Sequence, residues 1–227
     1  MYDYTYIGDG GVLPLNNNRY VQVGDPVTTP IDIVDLKSQC RIDWTDGEQE
    51  AYLNLIIRTA VNRAENYMNR ALVTRAFKTY RDQFEDVIEI RRPPFVALTS
   101  FKYVNSAGTI IDVGILPSET YYVTDNIYPQ IILYPGKSWP TDIMVKKQAI
   151  TIEFTSGYGV TKEAMPEDIR QALLIHCAYL YSNRGDSDLA ASDPGGLQVG
   201  QSLGIPGAAK DIYDSYRIRM LTARTYY

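Results

Sequence analysis

The sequence has little of the chemistry that most enzymes and metal sites use. It contains one histidine, His176, and two cysteines, Cys40 and Cys177, which form neither a CxxC pair nor a zinc-ligand spacing. Most transition-metal sites need several imidazole or thiolate ligands, so no metal site is predicted. Two reduced, buried thiols are expected, and a disulfide between them is the alternative.

Common catalytic and nucleotide-binding motifs are also missing. The sequence has no GxxxxGK[ST], GxSxG or HExxH motif. Gly157-Tyr158-Gly159 follows a predicted strand but lacks the third glycine and the acidic residue of a nucleotide-binding loop. We therefore predict that the protein is not an enzyme and uses no cofactor.

Long apolar runs and a basic excess are absent as well. No stretch approaches the roughly 18 consecutive apolar residues of a transmembrane helix. The 22 basic residues are outnumbered by 27 acidic ones, giving a net charge of −5, so no global positive field favours nucleic acid. The N-terminus, MYDYTYIGDGG, lacks the features of a signal peptide. We expect a soluble, intracellular protein without membrane contact.

The adjacent His176 and Cys177 are the most reactive-looking residues present. Neighbours on a helix point about 100° apart, so the imidazole is badly placed to activate the thiol. The surrounding run, ALLIHCAYLY, is apolar nearly all round, which is typical of a helix buried on every face, by its own domain or also by a neighbouring subunit. We interpret both residues as packing residues.

Tyrosine is in excess, with 19 tyrosines against five phenylalanines. A tyrosine side chain has a large apolar body and a polar tip, which suits half-buried surfaces such as interfaces. A tyrosine-rich β-sheet explains the excess equally well.

Hydrophobic periodicity predicts helices towards both ends of the chain. Asp32 and Asp35 have the spacing of a capping box before a short helix. A long helix is predicted from 48 to 72 on an apolar stripe made of Leu53, Ile56, Ile57, Ala60, Val61, Ala64 and Met68. Another helix begins at Met165, with Pro166 in its first turn, and a short helix is predicted near the C-terminus.

Between these helices the sequence predicts strands. Alternating and apolar runs from 75 to 160 indicate an antiparallel β unit of roughly six strands. Asn105 to Gly108 is the predicted turn of a hairpin, and Pro93-Pro94 marks a strand end or an edge, because proline cannot donate to a ladder.

The predicted fold class is therefore α+β, a helical bundle core with an inserted antiparallel β unit, a flexible N-terminal arm and a C-terminal tail. The predicted segments are an extended arm at 1–30, the first part of the helical core at 31–74, the β insertion at 75–160, the last core helix at 161–183, a flexible loop at 184–208 and a C-terminal segment at 209–227.

Two charged groups have both a structural and a binding interpretation. The acidic stretch DWTDGEQE at 43–50 does not match the ligand spacing of an EF-hand, and helix capping explains it better. Arg91 and Arg92 are suited to a phosphate or a partner's carboxylate, or equally to a solvated strand end.

The order of these segments resembles the phage head–tail connector (adaptor, or head completion) family. Cys40-Arg41-Ile42-Asp43 stands where that family has Leu-Arg-Val-Asp, and Tyr67-Met68-Asn69-Arg70-Ala71-Leu72 where it has a Tyr-Thr-Gly-Arg-Ala-Leu-like run. Further matches are IRRPPFVALTSFKYVNSAGT, the turn KSWP, ITIEFTSGYG, and MPEDIRQALLIHCAYLYSNR, which is similar to the family's Val-Pro-Glu-x-Ile-Arg-Gln-Ala-Ile helix.

The likeness covers about residues 31–184. Tyr216-Arg217 is similar to the family's closing Pro-Tyr-Arg, with Ser215 in place of the proline. The arm at 1–30 and the loop at 184–208 depart from the family's pattern.

The resemblance implies a structural virion protein. It would form a ring of twelve subunits between the portal and the tail or stopper of a tailed phage or phage-like particle, and would extend the DNA channel. Its implied partners are copies of itself, the portal protein, a stopper or tail-terminator protein, and genomic DNA that passes without sequence-specific binding. It would be made in the host bacterial cytoplasm and end in the virion neck.

The resemblance also leads to three predicted surfaces. In relatives the C-terminal segment reaches toward the portal, which predicts a portal contact at Tyr213, Tyr216, Arg217, Arg219, Met220 and Arg224. The subunit interface is predicted at Arg91, Arg92, Tyr179 and Tyr181. The channel lining is predicted at Asp43, Asp46 and Glu48.

A second hypothesis belongs to a different functional class. The excess of tyrosine also fits a β-rich binding module for a carbohydrate or another small ligand. Its candidate residues are Tyr121, Tyr122, Tyr128 and Tyr134.

Overall fold

The structure, a computed structural model, describes residues 20–24, 28–43, 47, 49–113, 120–124, 127, 129–183 and 204–218. It has the predicted α+β fold class, and the chain divides into two compact units. The helical unit comprises Asp25–Arg75, Arg91–Phe95 and Ser156–Tyr227. The β unit comprises Met1–Gly24, Ala76–Ile90 and Val96–Thr155.

Four α-helices lie in the described residues of the helical unit. Their bounds are Ile33–Cys40 for α1, Glu50–Met68 for α2, Glu167–Ser182 for α3 and Gly207–Tyr216 for α4. A single 3₁₀ turn, Lys162–Ala164, precedes α3.

The predicted capping box begins α1. The carboxylate of Asp32 accepts from the N–H of Asp35 at 2.8 Å, and the carboxylate of Asp35 accepts in return from the N–H of Asp32. The ammonium of Lys162 reaches both carboxylates, at 2.6 and 3.0 Å. Hydrogen bonding to Lys162 is the main reason that the pKa of Asp32 lies below its ordinary value.

The apolar stripe predicted for α2 is buried as expected. The helix ends at Met68 and not at Leu72, because Asn69 adopts the left-handed conformation, with φ of +56°, and its N–H returns to the carbonyl of Glu65. Asparagine tolerates this conformation better than most residues. The four residues predicted as a last helical turn therefore form a link to the first strand of the insertion.

The core of the helical unit lies between α2, α3 and α4, with α1 packed against them. Its largest fully buried side chains include Leu53, Ile57, Met68 and Tyr213. Each fully buried side chain of this size contributes on the order of 2 kcal/mol to folding. None of the described helices is long and apolar enough to span a membrane.

The described strands of the β unit are β1 Tyr20–Val23, β2 Arg75–Arg81, β3 Val87–Glu89, β4 Phe95–Val104, β5 Ile110–Asp112, β6 Tyr121–Val123, β7 Gln130–Leu133 and β8 Ile150–Ser156. These strands form two sheets. The five-stranded sheet has the order β1-β2-β8-β4-β5, and the three-stranded sheet has the order β3-β7-β6.

Alternation of buried and exposed positions explains the pairing of β2 with β8. Phe77 and Phe154 stack on one face, with ring centroids 5.8 Å apart, while Lys78 and Glu153 form an ion pair of 2.6 Å from the same two strands. A period of two residues thus places the apolar pair and the charged pair on opposite faces.

Turn chemistry fixes the predicted hairpin between β4 and β5. The side-chain oxygen of Asn105 accepts from the N–H groups of Ala107 and Thr109, and Gly108 has a φ of +83°. β4 begins at Phe95, directly after Pro93-Pro94, as expected of a strand boundary. The structure adds one strand that sequence reasoning placed in the arm: residues 20–23 pair with β2 as β1.

Candidate functional site

His176 and Cys177 are both fully buried in the helical unit. The His176 ring lies edge-on to Tyr213, with centroids 6.1 Å apart, and neither ring nitrogen has a hydrogen bond of standard geometry. Burial, with a smaller effect from the charge of Arg63, lowers the pKa of His176 to about 4. Burial likewise raises the pKa of Cys177 to about 12. A neutral imidazole and a protonated thiol at neutral pH match the predicted packing role.

No metal centre is formed by the part of the chain that the structure describes. Its histidine, cysteine, aspartate and glutamate side chains nowhere gather in a group of three or more that could hold an ion.

Three of the predicted portal-contact residues, Tyr213, Tyr216 and Arg217, lie in α4 or directly after it. Tyr213 is fully buried against the core, so its side chain presents no surface to a partner. Tyr216 is half-buried and Arg217 is exposed. The contacts of residues 214–218 with residues 67–70 define what we call the exit site.

Side chains from both helices meet on one side of the exit site. The Tyr67 hydroxyl donates to the carboxylate of Asp214 at 2.6 Å. The Arg217 guanidinium lies over the Tyr67 ring, 4.6 Å from its centroid, and 4.0 Å from the same carboxylate. Burial, followed by the hydrogen bond to Asp214, raises the pKa of Tyr67, so the phenol stays protonated and remains a donor.

Backbone groups complete the exit site. The N–H of Ile218 donates to the carbonyl of Met68 at 3.0 Å, and the Asn69 side-chain amide donates to the carbonyl of Ile218 at 3.1 Å. Arg70 Nε donates to the carbonyl of Tyr216 at 2.5 Å. Directly after α4, both the backbone N–H and the backbone carbonyl of Ile218 are therefore held by hydrogen bonds.

Sequence reasoning found part of this site without recognising its role. The run Tyr67–Leu72 was one of the motifs that carried the family resemblance. Its first four residues supply the α2 side of the exit site. The signal was thus present, but only the fold showed which part of the chain these residues hold.

The predicted interface residue Arg92 is engaged within the helical unit. Its guanidinium donates to the backbone carbonyl of Glu65 at 3.0 Å and to the Asn66 side chain at 2.9 Å. Arg92 has a φ of +72°, an unusual conformation for a residue with a side chain. Arg91 beside it is half-buried. This arrangement attaches the segment before β4 to the last turn of α2.

Glu65 is buried in that region and binds groups outside its own helix, and the sequence did not reveal this. Only 2% of the residue is exposed. Its carboxylate pairs with the Arg75 guanidinium and accepts from the N–H of Leu72 at 2.8 Å. Glu65 lies outside the apolar stripe predicted for α2, and the partner that makes its burial tolerable, Arg75, lies outside the helix.

The remaining predicted residues lie at separate places. Tyr179 and Tyr181 are half-buried in the last turns of α3, and Asp43 is exposed after α1. Five others lie outside the residues that the structure describes: Asp46, Glu48, Arg219, Met220 and Arg224.

Two tyrosines of the alternative binding hypothesis, Tyr121 and Tyr122, lie in β6 of the three-stranded sheet, and Tyr134 directly follows β7. Tyr122 and Tyr134 are 38% and 40% exposed, with ring centroids 4.9 Å apart. Tyr121 packs against Phe101 instead, with centroids 5.7 Å apart. Tyr128 lies outside the described residues. Two of the four candidates therefore form an exposed pair.

Comparison with known proteins gives one family match. Residues 30–95 match a family described as phage gp6-like head-tail connector protein. No curated protein matches the sequence. The matched residues include α1, α2 and the motif Tyr67–Leu72 on which the resemblance was based.

Solved structures match over nearly the whole chain. A chain of the structure described as the neck of an empty gene transfer agent (GTA) particle, computed with C6 symmetry, has a TM-score of 0.69 and 21% identity, covering 91% of this chain and 99% of that one. A chain of the native GTA particle neck, computed with C12 symmetry, has a TM-score of 0.64 and 22% identity, covering 91% and 99%.

The native GTA virion also contains a similar chain, with a TM-score of 0.66 and 21% identity, covering 90% of this chain and 98% of that one. At this level of identity the structural likeness establishes a shared fold. The family match covers residues 30–95 and agrees with the resemblance seen in the sequence, and the solved structures show the same fold over 91% of the chain.

Proposed function

We propose that this chain is a structural protein of the neck of a tailed phage or phage-like particle, where it forms a ring between the portal and the tail or stopper. One observation carries the proposal: a connector-family match lies within a fold shared, over 91% of the chain, with chains of particle-neck structures. Such a protein acts by assembly and not by turnover.

A ring of twelve copies is the proposed assembly. The similar neck structures were computed with C6 and C12 symmetry, which supports a closed cyclic arrangement. A cyclic ring needs a heterologous contact, in which two different patches of the subunit meet. The interface predicted at Arg91, Arg92, Tyr179 and Tyr181 would supply part of one patch, with Arg92 anchored to α2.

The ring would extend the channel through which the genome passes. Phosphate contacts from basic residues are what hold DNA to proteins, so an acidic wall lets DNA slide. The net charge of −5 and the exposed position of Asp43 support a lining formed by Asp43, Asp46 and Glu48.

The portal contact is proposed at the C-terminal segment, which starts from the exit site. Tyr216 and Arg217 would lie at its base, and Arg219, Met220 and Arg224 follow along the chain. Tyr213 would support this contact from inside the core, since it is fully buried.

A binding experiment on heads tests the proposal. Heads would be purified from particles that lack this chain, incubated with the purified chain and sedimented, with portal-free capsids as the control. We expect saturable binding at twelve copies per portal-bearing head, the number suggested by the C12 neck. Failure to bind portal-bearing heads above the control would refute the proposal, whereas a free monomer in solution is compatible with a ring that forms only on the portal.

A further inference from the structure

We propose that the turn at 144–147, which carries Val145 at its apex, docks on the outward face of the three-stranded sheet in a neighbouring copy of this chain. The inference rests on the proposed ring and deepens it, because it says which surfaces of the β unit meet between copies. Residues 144–147 are called the knob. The receiving face consists of Val87, Tyr122, Ile132 and Tyr134.

The knob presents an apolar side chain to solvent at a fixed position. Val145 is fully exposed, whereas Met144 before it is half-buried. The N–H of Lys146 donates to the carbonyl of Met144 at 2.9 Å, which makes a tight turn with Val145 at its centre. A single exposed valine is ordinary on a protein surface, so the way in which this turn is held decides what it means.

Hydrogen bonds hold the knob from both sides. On one side the N–H of Met144 donates to the carbonyl of Val104 at 2.9 Å. On the other side the carboxylate of Asp82 accepts from the Lys147 ammonium at 2.7 Å and from the N–H of Gln148 at 2.8 Å. These two contacts, the lysine first, hold the pKa of Asp82 below its ordinary value, so the carboxylate stays ionised at neutral pH. A prearranged turn loses little conformational freedom on binding, which favours the knob as an anchor in an interface.

The receiving face is an apolar row across all three strands of its sheet. The register pairs Val87 with Ile132 and Ile132 with Tyr122, so these side chains lie side by side on one face. Val87 and Tyr122 are partly exposed, and the ring of Tyr134 lies 4.9 Å from that of Tyr122. Ile88, the next residue of β3, is fully buried, so the row points away from the core. An exposed apolar patch with aromatic residues is typical of a protein–protein contact.

The charges beside the two surfaces are complementary. Lys146 is exposed and comes directly after the apex of the knob. The receiving face has exposed acidic residues before and after Val87, namely Glu85, Asp86 and Glu89. Docking would therefore place a lysine beside an apolar anchor against carboxylates beside an apolar face, and opposite charges across a contact favour the correct pairing.

Nearby groups of the opposite sign do not cancel this difference. Lys137, on the turn after β7, is exposed near the receiving face, but it stands against three acidic residues. Near the knob, the charge of Asp82 is balanced by Lys147. Asp142 accepts from the Tyr103 hydroxyl at 2.9 Å, so its carboxylate is engaged within its own unit. Lys146 is thus the charge that the knob offers to a partner.

A second copy of the chain is the occupant that fits these surfaces. A knob on a receiving face is a heterologous contact, because two different surfaces meet, and a ring requires such a contact. Two receiving faces packed on each other would instead bring like acidic charges together, which disfavours a symmetric pair.

Cross-linking on portal-bearing heads identifies the partner of the knob. The full-length chain would be bound to heads as a mixture of isotopically light and heavy copies and treated with a carbodiimide, which joins lysine to carboxylate without a spacer. We expect mass spectrometry to find light–heavy cross-links from Lys146 to Glu85, Asp86 or Glu89. Cross-links of Lys146 only within its own copy or only to a different protein would overturn the inference.

Variants of the knob separate this inference from the proposed function. Val145→Asp/Lys146→Glu keeps the backbone hydrogen bonds of the turn, and we expect it to need at least about a tenfold higher concentration to saturate portal-bearing heads. Val34→Asp, at an exposed valine of α1, is the matched control and should bind like the wild type. Unchanged binding by the knob variant would overturn the inference alone, whereas failure of the wild type to bind these heads would overturn the proposed function.

A charge exchange tests the receiving face. Lys146→Glu alone should weaken binding to portal-bearing heads, and adding Glu85→Lys/Asp86→Lys to it should recover binding, because the charges are again opposite. Urea unfolding of each variant checks that these exposed substitutions leave the fold intact. Failure of the combined variant to recover, with its stability unchanged, would overturn the assignment of the receiving face.

Discussion

Glu65 gives the sharpest prediction about the helical unit. Its side chain is 3% exposed and that of its partner Arg75 is 8% exposed, so the ion pair is shielded from water. Glu65→Ala would leave the guanidinium charge buried without its carboxylate and would leave the N–H of Leu72 without its 2.8 Å acceptor. Removing one member of a buried pair costs about 3–5 kcal/mol, because the remaining charge is uncompensated.

The loss of stability in Glu65→Ala can be measured by urea unfolding, as the change in the free energy of unfolding extrapolated to water. Glu65→Gln retains an acceptor for Leu72 but loses the charge, so its expected cost is smaller, about 1–3 kcal/mol. Glu50→Ala is the matched control on the same helix. Its side chain is 46% exposed and pairs with Lys37, and its loss should cost less than about 1 kcal/mol.

The double variant Glu65→Ala/Arg75→Ala adds a second check on the same reasoning. Removing both charges leaves no uncompensated ion, so the double variant should be more stable than Glu65→Ala alone. The reasoning would be refuted if the free energy of unfolding of Glu65→Ala lay within about 1 kcal/mol of the wild-type value. It would also be refuted if the losses of stability from the two single substitutions simply added up in the double variant.

Three further predictions concern other buried positions. Gly157→Ala should destabilise the protein by about 1–3 kcal/mol or more in urea unfolding, because the new Cβ would lie 2.3 Å from the Thr74 nitrogen at a φ of +140°; wild-type stability would contradict this. Folded His176 has a pKa of about 4, below the ordinary 6.5, so the unfolded chain binds the extra proton. Stability should therefore fall by up to about 3 kcal/mol as the pH drops from 6.5 to 4, and His176→Leu should remove this part of the slope; an unchanged slope would count against it. The buried Cys177 thiol, with a pKa of about 12, should react with a thiol reagent at pH 8 only as fast as the unit opens, and rapid labelling of native protein would disprove its burial.

Local signals were sufficient to predict the helices and most strands. The capping box at Asp32 and Asp35 and the buried stripe of α2 depend on residues close in sequence, and both are present in the structure. The Asn105–Gly108 hairpin is likewise encoded in a few neighbouring residues. Periodicity and turn chemistry are properties of short segments, so a single sequence can reveal them.

Contacts between distant parts of the chain could not be predicted. The burial of Glu65 is one example, because helix periodicity cannot show that Arg75 provides its partner. The pairing of Tyr20–Val23 with β2 also depends on a strand far along the sequence. The exit site joins residues separated by about 147 positions, which no local pattern contains.

The charged and aromatic surface residues were the least predictable. Arg92 had two open interpretations, and the structure shows it bound to the end of α2. Tyr213 was grouped with the portal contacts by its place in the C-terminal segment, yet it is fully buried. Composition indicates that such residues have a role, but only packing shows which of them face outward.

A reconstruction of the particle neck, with this chain carrying a bound label, tests the central claim most directly. The account predicts label density in a closed ring directly below the portal, with twelve positions as in the similar C12 neck. It also predicts that the exit site of each copy faces the portal. Label on the capsid shell or the distal tail, or its absence from intact particles, would contradict the account.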